Sequence, residues 1–193
     1  MVAEVQSDMP PRPRPGPLGL WDLLVGPGAT SGENTLIVAA SLLGAAAAAA
    51  RLAEHGASGW LIAIGAALGL DIIGGAVANA TSATKRWYHR PGATTRRHVL
   101  FLLPHAGHVA LEAWLFRNGD WGYFAAVVCG LAVAAAIVMA APTRLKRPVA
   151  VGLALAAMGG WYYALGPTPG LEWFVPGLLL KLIAGHLVPV GKP

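Results

Sequence analysis

HVLFLLPHAGHVALEAWLF, residues 98–116, decides how the rest of this chain is read. The stretch is apolar over a length that suits a bilayer crossing, yet it carries His98, His105, His108 and Glu112. At ~100° per residue, His98, His105 and Glu112 fall within ~40° of one another and His108 stands to one side. Ionisable side chains facing lipid are costly, so the stripe predicts a polar site that looks into the protein or into a water-filled cavity.

The composition around that stretch points the same way. Of 193 residues 55% are hydrophobic and only 12% charged, about half the ~25% usual in soluble domains. The expected fold class is an all-α, polytopic integral membrane protein. The net charge of +5 is concentrated in two polar loops, Lys85, Arg86, Arg90, Arg96 and Arg97 in one and Arg144, Lys146 and Arg147 in the other. Both loops lie between apolar runs, which is the positive-inside pattern of cytoplasmic loops and argues against a nucleic-acid partner. Cys129 is the sole cysteine, so no intrachain disulfide forms, and its mid-run position reads as a small buried hydrophobe.

Working outward, residues 1–16 are polar and proline-rich and are expected to be a disordered cytoplasmic tail without a cleavable signal peptide. Residues 17–33 hold a short interfacial helix and a linker: Leu18, Trp21, Leu24 and Val25 set against Asp22 suit a helix lying at the headgroups, and Gly26-Pro27-Gly28 break it. Residues 34–193 form the membrane domain. Its six apolar runs, at 34–53, 60–84, 98–116, 122–141, 148–165 and 173–190, predict about six transmembrane helices. Alternating the loops puts all eight basic residues on one side, with both termini in the cytoplasm and the protein in a plasma or inner membrane. Tryptophans near span ends read as interfacial anchors. Gly65-x-x-x-Gly69 reads as an internal helix contact, with a homo-oligomer contact left open.

Depth, counted at ~1.5 Å per residue from the basic loop, sorts the intramembrane polar residues into two layers. Asn79, His105 and His186 form one near the cytoplasmic side, with His98 at its mouth. Asp71, His108, Glu112 and Lys181 form one near the midplane. Lys181 and His186 are five positions apart, ~140° on a regular helix, so both face one cavity only if the turn near Gly185 is distorted. Pro104 lacks an N–H and frees a carbonyl one turn earlier, next to the histidines.

Several chemistries use this inventory. In a membrane metalloenzyme His105, His108 and His186 would ligate zinc or iron, with Asp71, Glu112 and Asn79 as catalytic residues acting on a lipid or other hydrophobic substrate. A proton-coupled carrier or channel would use the same histidines and carboxylates as a relay. A metal-free isomerase or cyclase of an isoprenoid-like substrate would use Asp71 or Glu112 as the acid. Haem between two histidines is a further reading. The bland alternative is a midplane Asp71–Lys181 ion pair that fixes helix packing, with structural histidines beside it. His55 and His89 read as loop residues.

Overall fold

The computed structural model describes residues 9–189, and among these the regular structure is entirely helical. Five helices are long and apolar enough to cross a membrane, which is the build of a multi-pass membrane protein. They are α2 (Ser31–Glu54), α3 (Gly59–Ala80), α5 (Thr95–Phe116), α6 (Trp121–Ala140) and α7 (Lys146–Leu165, led in by a turn from Thr143). Three short helices complete the set: α1 (Pro17–Val25), α4 (Ser82–Tyr88) and α8 (Phe174–His186).

The sixth expected span, 173–190, is shorter than the sequence reading: α8 begins at Phe174 as expected but ends at His186, where the chain turns ahead of Pro189, while the glycine- and proline-rich residues 166–173 before it form an irregular segment. Together the two cover the depth of the bundle. Thr168 is beside Glu112, and Gly185 is beside Lys85 in the first basic loop. Phe174, Leu178, Leu179, Leu182 and Ile183 are all essentially inaccessible. Within the irregular segment Thr168, Gly170 and Leu171 are buried while Pro167 and Pro169 are exposed, so it closes the end of the bundle opposite the basic loops.

Close helix approach is built on small residues. A Cβ at Gly44 or Gly69 would collide with the other's carbonyl, and one at Gly74 with Ser41, so α2 and α3 pack backbone to backbone. Gly65 packs on Leu52, which makes both glycines of the Gly65–Gly69 pair internal contacts. Thr30 and Glu33 form a capping box at the start of α2 (Glu33 N to Thr30 Oγ1 3.1 Å, Thr30 N to Glu33 Oε2 2.8 Å), and the second Glu33 oxygen accepts from Ala83 N at the head of α4.

α1 lies at the basic end, where Thr84 and Tyr88 donate to its last carbonyls. Leu18 and Leu24 of its apolar set face outward, as an interfacial helix requires, whereas Val25 and Asp22 face the protein. Asp22 is buried because Arg14 clasps it with backbone and guanidinium, and Leu18, Leu20 and Leu24 point away from the protein. An apolar outer face suits the interface, and the arginine makes an inward carboxylate tolerable. The clasp also ties residues near Arg14 to the fold, and residues 1–8 lie outside the described part. Trp60, Trp114 and Trp121 are exposed at helix ends opposite the basic loops, as interfacial anchors would be.

Candidate functional site

Pro104 divides α5. Backbone bonds switch to a three-residue spacing there (Gly107 N to Pro104 O 3.0 Å), and the Phe101 carbonyl takes His105 Nδ1–H at 3.0 Å. That bond fixes the His105 ring and leaves Nε2 without a protein partner. The His105 and His108 rings stack with centroids 5.2 Å apart.

His108 Nε2 stands 3.3 Å from Asp71 Oδ2. The same oxygen holds Lys181 Nζ at 2.6 Å, and the lysine also donates to the Asp71 carbonyl at 3.1 Å. Gly75, one turn after Asp71, provides the space: a Cβ there would sit 2.8 Å from Lys181 Nζ and overlap the side-chain stem. Lys181 is buried, while Asp71 keeps 46% of its side-chain exposure. Three helices therefore converge on one ion pair, with His108 as the third member.

The winding of α8 makes this possible. Leu179–His186 is π-helical, with bonds from i to i+5 and roughly 4.4 residues per turn, which brings positions five apart to within roughly 50°. Lys181 and His186 consequently share the buried face, although a regular helix would separate them. The loosened backbone is held by side chains from the neighbouring segment. Asn79 Nδ2 donates to Lys181 O at 2.9 Å, Lys85 Nζ to Gly185 O at 2.8 Å and His89 Nε2 to His186 O at 2.8 Å. Asn79, expected among the catalytic residues, instead satisfies a buried carbonyl.

His186 belongs to a second group nearer the basic end. Its Nε2 lies 3.0 Å from His98 Nδ1, so one ring donates to the other's lone pair, and the His89 and His98 rings are 4.8 Å apart. Phe101 stacks on His186 at 3.8 Å and separates this group from His105. Burial pushes the His89 imidazole down to about 4; the His186 carbonyl opposes this, while His98, Lys85 and Lys146 reinforce it. His89 is therefore neutral at pH 7, with its proton on Nε2.

Glu112 is apart from both groups. It lies one turn beyond His108, where α5 widens into a π-turn over Glu112–Phe116, and it is 1% exposed. Tyr123 and Thr168 each donate a hydroxyl to its carboxylate at 2.7 Å. Arg117 reaches Thr168 Oγ1 at 3.1 Å and lies over the Tyr123 ring. The midplane layer read from the sequence thus keeps Asp71, His108 and Lys181 and loses Glu112, because one turn of rise carries it to the level of the irregular 166–173 segment.

The ligand donors anticipated for zinc or iron do not converge. His105 stacks on His108, His186 bonds to His98, and Glu112 faces α6. Among the described residues no group of three or more His, Cys, Asp or Glu side chains is placed to hold a metal ion. Beside His105 the structure instead has an apolar groove of about 190 Å³ between α5, α6 and α8, and His105 is the single polar residue of its lining. Tyr123 and Thr168 escaped the sequence reading, and His89, read as a loop residue, turns out to hold a carbonyl of α8; none stands in a pattern that distinguishes it from other loop or span-end residues. No protein-family model, curated protein or solved structure matches this chain.

Proposed function

We propose that this protein is a membrane-embedded, metal-free acid–base catalyst acting on a lipophilic substrate held in the groove beside His105. The observation that carries the reading is the groove itself: an apolar channel whose one polar wall residue is an imidazole with a free ring nitrogen. A hydrophobic molecule in that groove presents its carbon skeleton to His105 Nε2. The imidazole takes a proton from one carbon and returns one at another, so the net change is an isomerisation that needs no redox partner. The Phe101 carbonyl on Nδ1–H and the nearby Asp71 carboxylate stabilise the imidazolium while it carries the proton; Lys181 and His108 hold Asp71 in place.

The test works on a mixture of candidate substrates. Protein reconstituted with a total lipid extract of its host membrane is incubated in D2O, and lipids are screened by mass spectrometry for deuterium at carbon. Time-dependent labelling of a lipid class by wild type, absent in His105→Ala, is the expected result. No labelling above the protein-free control would overturn the reading.

A second reading, a proton-coupled carrier with the basic end in the cytoplasm, is favoured by the His98–His186 pair, which extends the titratable groups towards that end. The Phe101 ring between His186 and His105 interrupts the row. Liposomes discriminate: proton flux abolished by Asp71→Asn, without deuterium labelling of lipid, would favour the carrier.

A further inference from the structure

We infer that the groove and the basic rim at its mouth form one site for a single-chain anionic lipid, with a phosphate headgroup at the rim and its hydrocarbon tail alongside His105. This rests on the groove being the substrate site and adds the headgroup chemistry. The groove runs along α5 from Val99 to Ala106 and along α6 from Met139 to Val128. Its Val99–Met139 end therefore opens at the basic loops. Arg96 and Arg97 stand within one turn of Val99, and the turn carrying Arg144 and Lys146 follows α6 directly. Val99 at the start of α5 and Met139 at the end of α6 line the same groove, which brings the two basic segments together in space.

Among the described residues Arg96, Arg97, Arg144, Lys146 and Arg147 make no salt bridge, whereas Arg51 and Arg117 at the opposite end each pair with a carboxylate. Clustered cations at a membrane surface attract anionic headgroups. The groove volume, about 190 Å³, is only modestly larger than the roughly 150 Å³ that accommodates a benzene ring, so it admits a segment of one chain and not two side by side. A one-tailed lipid with a charged head at the mouth satisfies both halves of the site.

Binding to detergent-purified protein is measured by native mass spectrometry and by the rise in melting temperature, using oleoyl lysophosphatidic acid, oleoyl lysophosphatidylcholine and inorganic phosphate as probes. The phosphate monoester is expected to bind one to one and about tenfold tighter than the choline lipid. Arg96→Gln with Lys146→Gln removes that preference, and Ala132→Phe, which fills the groove from an exposed position, weakens both lipids about tenfold. Equal affinity for the two lipids, full competition by inorganic phosphate, or indifference to Ala132→Phe would each overturn the inference. Wild-type protein that binds lysophosphatidic acid selectively yet labels no lipid in D2O would sink the proton-transfer reading and leave the lipid site standing.

Discussion

Asp71 and Glu112 are both carboxylates on membrane-length apolar helices, and the protein holds them in different ways. Asp71 keeps nearly half its exposure and is matched by a buried ammonium and an imidazole, each on a different helix. Glu112 has almost no exposure and is matched by two hydroxyls, with the nearest guanidinium reaching it only through Thr168. The first arrangement leaves a charged, half-exposed group held where three helices meet. The second closes a carboxylate into a network that pins α5, α6 and the irregular segment together. Equal residue types at similar expected depth thus sit in separate environments, one open and ion-paired, one closed and hydrogen-bonded.

Removing Asp71 should show the larger effect. Asp71→Asn leaves Lys181 buried beside a neutral partner, and breaking such a pair costs about 3–5 kcal/mol; unfolding in detergent measures it. Adding Lys181→Met should recover much of the loss, whereas additive losses would mean the two groups do not act as a pair. Gly75→Val should come next, at about 1–3 kcal/mol, because its side chain occupies the space of the Lys181 stem. Glu112→Gln should cost only about 1 kcal/mol, since the amide oxygen still accepts a hydroxyl. A loss as large as that of Asp71→Asn would show that the Glu112 charge matters more than its hydrogen bonds.

The smallest effect is a pH dependence at the basic end. His89 is held below its usual range, so folding favours the neutral ring. Its contribution is fully present above pH 6.5 and is lost as pH falls through about 4. Hydrogen exchange at the end of α8 should accelerate across that window, and less so in His89→Gln. Identical profiles for the two proteins would remove His89 as the cause.

Much of this was legible in the sequence, for identifiable reasons. Five apolar runs became membrane-length helices because their composition leaves few other ways to satisfy the backbone. The sixth did not, since its helix begins at Phe174 but stops at His186, ahead of Pro189. The Lys181–His186 spacing announced a conflict with regular winding, and the π-helix resolves it over Leu179–His186, a wider distortion than a local turn at Gly185. The Asp71–Lys181 pair followed from matching depths. Glu112 was misplaced because depth counting assumes that residues at one level share a neighbour, and its neighbour is the irregular segment. His89 acts on a carbonyl 97 residues away and Thr168 on a carboxylate 56 residues away, separations that no local pattern encodes.

The most direct test of the acid–base account compares deuterium incorporation from D2O into membrane lipid by wild type, His105→Ala, Asp71→Asn and Glu112→Gln, each confirmed monodisperse. The account predicts labelling by wild type and Glu112→Gln, none by His105→Ala, and a rate at least about tenfold lower for Asp71→Asn. Labelling that survives His105→Ala but disappears in Glu112→Gln would place the chemistry at the closed carboxylate and contradict the account.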